Sequence, residues 1–329
     1  MADGTTEARV TIRTVAADAG VSVAAVSKVM RNAYGVSEAL RLKVEASIEK
    51  LGYRPSVAAR GMRGQTFTLG VLLVDIENPF LPAVFHGIEE VTEGKGYKLM
   101  VAVGKAREGR ETQLIEQMID NRMDGLILVA SQIPSEVMER YARQIPTVVV
   151  GHHEPMSLGF DTVNSDDREG ARMAVLALHQ HGYRDIAMLG MEWDSRHQAD
   201  VSPQREQGYM AAMAELGLAD FARVLRVPQS DMPREDHLRR YLTAPDRPRA
   251  IFCWSDLDAV PVRNMAWQLG IRVPEDLALV GYDNNPVVAL PMIDLASVDK
   301  YGRLMGRMDA EDLLTRIGGR TVSEHILIE

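Results

Sequence analysis

From Phe67 onward the chain repeats one pattern. Apolar runs TLGVLLV, YKLMVAV, DGLILVA, PTVVVG, DIAMLG, RAIFCW and LALVGY alternate with helix-patterned segments near 79–94, 108–121, 134–144, 167–181, 203–217, 232–243, 256–270 and 300–317. Continuous short apolar runs suit strands buried on both faces, and the helices between them suit crossovers. The expectation is therefore α/β, with doubly wound parallel sheets. More than ten elements predict two Rossmann-like lobes, with a break near 162–167 and the chain crossing back near 292–300. Ligands of such folds bind beyond the carboxyl ends of the strands, here in the cleft between lobes.

The first 66 residues read differently. Thr11 is placed to cap a helix IRTVAADA that stops at Gly20, and Ser22 caps a second, VAAVSKVMR. Ser37 opens a third, SEALRLKVEASIEKLG, with Leu40, Val44, Ile48 and Leu51 on one face and a stop at Gly52. This small all-α unit spans 11–55, behind a tail, 1–10, expected to be disordered. Two short helices around a glycine turn suit insertion into a DNA groove. Beyond Tyr53, the segment SVAARGMRGQ opens at Ser56 and is weakened by Gly61. It is too short to be stable alone, so 56–66 is read as a hinge helix and linker that orders on a partner. Charge agrees: residues 1–64 hold ten Lys/Arg against six Asp/Glu, whereas the rest holds 27 against 40. A basic head on an acidic body points to nucleic acid as the partner of the head.

Other classes find little support. The single cysteine, Cys253, sits in the apolar run AIFCW, which fits a reducing cytoplasm, and no run reads as a signal peptide or membrane span. GKGYKL precedes a strand instead of opening a helix and lacks the third glycine of a dinucleotide site. Adjacent His152 and His153 have no ligand-spaced companions among the eight histidines. No cofactor, metal site or catalysis is expected. A sugar-binding transport component would need a signal peptide and no basic head, and an α/β enzyme would need a nucleophile or metal set.

Several dispersed motifs resemble, in order, those of the LacI/GalR family of bacterial transcription repressors. They are TIRTVAADAGVSVAAVSKVM, VSEALRLKVEASIEKLGYRPSVAARGMR, DIENPF, DGLIL, SDDREGARMA, PQREQGYMAAM, SDLDAV and LALVGYDNNP. The resemblance covers essentially the whole chain. It implies a homodimer that reads a pseudo-palindromic operator in double-stranded DNA. The DNA-binding positions would be Thr11, Ser22, Val23, Ala24, Ser27, Lys28, Arg31, Ser37 and Tyr53 in the head, with Ser56, Ala59, Met62 and Arg63 in the hinge. Val23 and Ala24 offer apolar contact only, whereas Lys28 can donate to guanine O6 or N7. Core packing is the other reading of Val23. Ala25 and Leu40 replace threonines usual in relatives, and Arg31 replaces an asparagine, so the operator sequence cannot be carried over.

The body resembles a periplasmic sugar-binding protein, which implies a small effector, a sugar or sugar derivative. Its candidate residues are Asn78, Phe80, Ser131, Arg205, Trp254, Ser255, Asp256, Asp283 and Lys300. Asp256 also reads as a helix cap, and Trp254 as core. Lys300 stands where glutamine is common in relatives, and the loop MEWDSRHQADVS is longer than usual, so a sugar acid or phosphate competes with a neutral sugar. Effector binding would change operator affinity, as inducer or corepressor, and an activator of the same family remains an alternative. In the hinge, Met62 takes the place of the leucine that wedges into the central base step. Replacing Met62→Asp should abolish specific operator binding by gel shift while effector binding measured by calorimetry is unchanged.

Overall fold

A computed structural model describes residues 10–30, 33–53, 65–193, 198–227 and 233–329. The chain separates into two compact units, Met1–Thr66 and Phe67–Glu329. In the first, α1 (Ile12–Asp18), α2 (Val23–Met30) and α3 (Glu38–Leu51) enclose Val15, Ala16, Ala19, Val26, Val29, Val44 and Tyr53. Each end has a local cause. The Thr11 and Thr14 side chains form a reciprocal capping box, and Ser37 Oγ accepts from Leu40 N–H (3.3 Å). Gly20 turns the chain between α1 and α2 in the left-handed region (φ +60°). Lys50 and Ser47 of α3 both donate to Asp18 of α1 (2.6 and 2.8 Å).

The second unit runs β1 (Thr68–Leu73), α4 (Phe80–Glu93), β2 (Lys98–Val103), α5 (Glu108–Asp120), β3 (Gly125–Val129), α6 (Ser135–Ala142), β4 (Thr147–Val150) and β5 (Asp161–Ser165). It continues with α7 (Asp167–Gln180), β6 (Ile186–Gly190), α8 (Val201–Glu215), β7 (Arg223–Arg226), α9 (Arg234–Thr243) and β8 (Ala250–Cys253). The last elements are α10 (Asp256–Gln268), β9 (Ala278–Asp283), β10 (Ala296–Asp299), α11 (Gly302–Ile317) and β11 (His325–Ile328). The strands form two all-parallel sheets, ordered β11-β5-β4-β3-β1-β2 and β10-β9-β8-β6-β7. Helices pack on both faces of each, so every lobe has two apolar layers. The chain leaves the first lobe after β5, because α7 packs in the second, and returns after β10, because α11 packs against α4. Among the described residues no helix is long and apolar enough to cross a membrane.

Four strands lie outside the apolar runs that sequence pattern identifies: β5, β7, β10 and β11. They are short or polar, so periodicity could not find them. The sequence of β5 is DTVNS, yet all five residues are buried. Its polar groups are satisfied tertiarily: Asp161 pairs with Arg316 and Arg320, and Thr162 bonds His325 (3.0 Å).

The α4–α11 packing sets the entrance to the cleft, since α4 begins at Phe80 and α11 follows Lys300. The helices touch through glycines. A Cβ on Gly306 would stand 1.9 Å from the Val84 carbonyl oxygen, and one on Gly87 would stand 2.1 Å from that of Arg303. Backbone cannot yield as a flexible side chain would. Gly306→Ala should lower stability by roughly 2–3 kcal/mol in urea unfolding, with the helices forced apart.

Candidate functional site

Two surfaces carry the sequence-derived candidates. On the head, the buried side of α2 is Val26 and Val29, which turns Ser22, Val23, Ala24 and Lys28 outward and leaves Ser27 half-buried. Ser22 Oγ accepts from Ala25 N–H (3.1 Å), so the helix start is fixed where the exposed face begins. Val23 is 36% exposed and so is not core. Thr11 and Ser37 are exposed caps of the other two helices. Tyr53, by contrast, packs into the core of the head. Arg31, Ser56, Ala59, Met62 and Arg63 lie outside the described residues.

In the body, a cleft of about 570 Å³ opens where carboxyl ends of both sheets meet. Val74 and Asp75 follow β1, Ala130 follows β3, Met191 follows β6, Trp254 and Ser255 follow β8, and Asp283 ends β9. In each sheet the first strand of the lobe, β1 or β6, lies between the second and third. The cleft therefore sits at the topological switch points, where crossovers diverge and leave the strand ends open.

The motif DIENPF shapes one wall. Asp75 Oδ1 accepts from the Glu77 and Asn78 N–H groups (2.8 and 3.1 Å). Asn78 Oδ1 then accepts from Phe80 N–H (3.0 Å), while its Nδ2 donates to Asp283 Oδ2 (3.0 Å) across the cleft. Asp283 has φ +99°, a strained conformation for a residue with a side chain, held at the end of a buried strand.

At the base lie four buried charges. Arg205 Nε donates to Asp167 Oδ1 (2.8 Å), and its Nη2 stands 3.6 Å from Asp283 Oδ1. Its guanidinium is stacked between Tyr282 and Trp254, at 3.7 and 4.7 Å from their ring centroids, and Nη1 donates to the Trp254 carbonyl. Lys300 Nζ lies 3.8 Å from Asp167 and 4.7 Å from the centre of the Phe80 ring. Burial works against the Asp167 charge, yet Lys300, Arg205 and His153 together hold its carboxyl well below the usual range. For Arg205, burial is likewise outweighed by Asp167 and Asp283, and its pKa is raised. Burial wins at the other two: the Asp283 carboxyl is pushed up, and the Lys300 ammonium down.

Seven of the nine sequence candidates line the cleft: Asn78, Phe80, Arg205, Trp254, Ser255, Asp283 and Lys300. The described lining does not include Ser131 or Asp256. Ser131 Oγ is buried, donating to Glu111 Oε2 (2.7 Å). Asp256 is the first residue of α10, and its carboxylate accepts from Asn285 N–H and Ser297 Oγ (both 2.7 Å). Sequence reasoning did not assign Asp167, Tyr282, Arg234, Asp258 or Asp200. Asp167 and Asp258 stood inside quoted motifs, SDDREG and SDLDAV, as the second carboxylate of each; that doubling was the available signal. Asp258 is buried against Arg234 and accepts from Ser255 Oγ (2.9 Å). Among the described residues no cluster of three or more His, Cys, Asp or Glu side chains could hold a metal.

A three-helix head with an exposed α2 face, joined to two parallel lobes around a polar cleft, defines a helix-turn-helix regulator with a sensor body. Residues 11–56 match the model of the bacterial regulatory proteins of the lacI family, and residues 175–329 match a periplasmic binding protein-like domain. The ribose operon repressor of Escherichia coli K12 is 30% identical over 329 residues, covering 96% of both chains. The regulator GalR of the same strain is 34% identical, covering 83% of this chain and 79% of its own. A CelR–cellobiose complex superposes with a TM-score of 0.67 at 26% identity, covering 98% of this chain and 97% of that one. The operator-bound Lac repressor dimer shares the fold, with a TM-score of 0.81, at 21% identity and 97% coverage of both chains. The chain belongs to the lacI family: it is a DNA-binding transcriptional repressor regulated by a small effector.

Asp256 supplies a pH test of the site. Burial pushes its carboxyl from the ordinary 3.8 up to about 6, with Asp283 adding to the shift and the bonds from Ser297 and Asn285 opposing it. The folded protein holds this proton between about pH 4 and 6, where the unfolded chain has released it. Stability is therefore lost as pH rises through that window, by up to about 3 kcal/mol from this group. Asp256→Asn should remove that component, so urea unfolding of the variant gains on wild type from pH 4 to pH 7.

Proposed function

We propose that the effector is a small, uncharged, polyhydroxylated molecule of the carbohydrate class, bound in the cleft of the body. Its binding changes the grip of a homodimer on a pseudo-palindromic operator. The observation that carries this reading is the composition of the cleft. Asp283 is a fixed carboxylate suited to accept from hydroxyls, and Phe80 and Trp254 offer flat apolar surface to a sugar ring. Among the described residues the buried Trp254 indole N–H has no partner, leaving a donor unspent in the cleft wall. Relatives support it, one being a repressor of a ribose operon and another solved with cellobiose.

Charge argues against a sugar acid or phosphate. Arg205 and Lys300 already face Asp167 and Asp283, so neither cation awaits an anion. Among the described lining residues, Asp75, Glu77, Glu192, Asp200, Asp258 and Asp283 outnumber Arg205, Arg234 and Lys300. An anion entering this cleft would lose its hydration against a field of its own sign.

On the head, Ser22, Val23, Ala24, Ser27 and Lys28 would enter the major groove, with the hinge residues in the minor groove. Dimerisation fits the edge strand β2, which exposes Met100 and Val101 at 47% and 42%; a bare apolar edge calls for cover. The role is binding without turnover, in the cytoplasm. An operator can be selected from a random DNA pool and followed by fluorescence anisotropy. Saturating D-ribose or cellobiose should shift its affinity by about tenfold or more, in either direction. D-ribonate and cellobionate should act at least about tenfold more weakly. A response confined to the acids would overturn the uncharged reading.

A further inference from the structure

The adjacent histidines after β4 are absorbed neither by the head nor by the cleft, yet each holds a carboxylate of the other lobe. Gly151, in the left-handed region (φ +74°), turns the chain out of β4 toward Val201. His152 is then clamped by its peptide: Asn164 of β5 accepts from its N–H (2.9 Å) and donates to its carbonyl (3.0 Å). Its ring is buried, with Nδ1 3.0 Å from Asp200 Oδ1 and Nε2 2.9 Å from Ser135 Oγ. A carboxylate can only accept, so Nδ1–H donates to Asp200, while Ser135 Oγ, bonded to Nε2, also lies 3.4 Å from Glu154 Oε2. The backbones join as well, in an antiparallel bridge between His152 and Asp200 and a bond from His153 N–H to the Ala199 carbonyl (2.6 Å).

Asp200 is the residue before α8, the place where an aspartate ordinarily accepts from its own helix. Here it makes no side-chain cap bond. Its carboxylate is turned to the first lobe instead. Five residues on, the same helix carries Arg205. The second histidine closes the circuit, because His153 Nε2 donates to Asp167 Oδ2 (2.9 Å) while Arg205 holds Asp167 Oδ1. One carboxylate is thus shared between a first-lobe histidine and the arginine at the base of the cleft. The sequence Ser135–His152–Asp200 has the connectivity of a hydrolytic triad. Ser135, however, is not among the described residues of the cleft lining, and the ring is occupied in joining the lobes.

We propose that His152 and His153 form an interlobe latch that positions α8, and with it Arg205, for the effector. The latch is stated for the cleft proposed above and so rests on that reading, but its own test needs no effector. Hydrogen–deuterium exchange of the full-length protein reads the His153 amide, which is bonded to Ala199, and the amides of Val201, Ser202, Gln204, Arg205 and Glu206. Asp200→Ser restores an ordinary helix cap but is too short for the ring, which separates latch from helix stability. Asp200→Ser and His152→Ala should each speed exchange of these amides about tenfold, with β4 residues Val148–Val150 unchanged. The double variant should be no faster than either single one. Asp200→Asn, which keeps an acceptor oxygen, should stay within about threefold of wild type. Wild-type exchange in both single variants, or additive effects in the double, would overturn the latch. In the operator assay, Asp200→Ser should need at least tenfold more D-ribose or cellobiose than wild type for the same shift. A wild-type protein indifferent to every sugar would count against the carbohydrate reading alone, with the exchange result deciding the latch.

Discussion

The body of this protein depends on one buried ion pair, Arg205 with Asp167. Neither side chain has meaningful contact with water, so each keeps its charge only among opposite charges, Asp167 beside Arg205 and Lys300, and Arg205 beside Asp167 and Asp283. Asp167 opens the helix by which the chain enters the second lobe, and Arg205 lies on the next helix of that lobe. Lys300 approaches from the point where the chain returns to the first lobe, and His153 from the end of β4. Three separate segments thus converge on the carboxylate of a fourth, which a hydrophobic contact could not demand, because apolar surfaces tolerate sliding and charged pairs do not. The pair is weak evidence for stability, since dehydrating both ions offsets much of their attraction. Its clearer consequence is geometric.

That geometry governs what the cleft can accept. The guanidinium is fixed on both faces by Tyr282 and Trp254 and on its edges by two carboxylates and a carbonyl. Its charge is spent inside the protein. A ligand therefore meets a surface of donors and acceptors in rigid array, with little free positive charge. Such a surface suits hydroxyl groups, read by direction, and opposes anions by its field, which is the ground for the uncharged effector proposed above. A lysine in place of the usual glutamine invites the opposite conclusion from sequence, since a cation alone in a pocket would draw an anion. Asp167 reverses that inference.

The architecture was legible in the sequence because two strong periodicities carry it. Seven apolar runs mark strands, six of them buried on both faces and the seventh, β2, an edge with exposed residues, and the caps Thr11, Ser22 and Ser37 mark the three small helices. What stayed hidden was whatever depends on distant partners. DTVNS becomes a central strand only because Arg316, Arg320 and His325 arrive from the far end of the chain to satisfy it. Ser131 and Asp256 follow strand ends, as cleft residues should, but both turn their side chains toward buried partners. Spacing along a strand tells which end a residue occupies, not which way its side chain finds a hydrogen bond. Asp167 and Asp258 carried only a faint signal, a doubled carboxylate, for the converse reason: each looks like an ordinary acidic helix start until its arginine is placed beside it.

An effector can shift this molecule only by the difference in its affinity for two lobe arrangements. The contacts across the cleft set the scale of that difference. Asn78 to Asp283, His152 to Asp200 and His153 to Asp167 each join elements of opposite lobes by directed bonds. Directed bonds break over a fraction of an ångström, so an arrangement that opens the cleft loses them together and not by degrees. A ligand that bonds Asp283 adds to the side on which all three are made. Its own few hydrogen bonds are then amplified by contacts that it does not touch. On the reading proposed above, a small neutral molecule, with no charge to offer, would in this way command an equilibrium felt at a DNA-binding head.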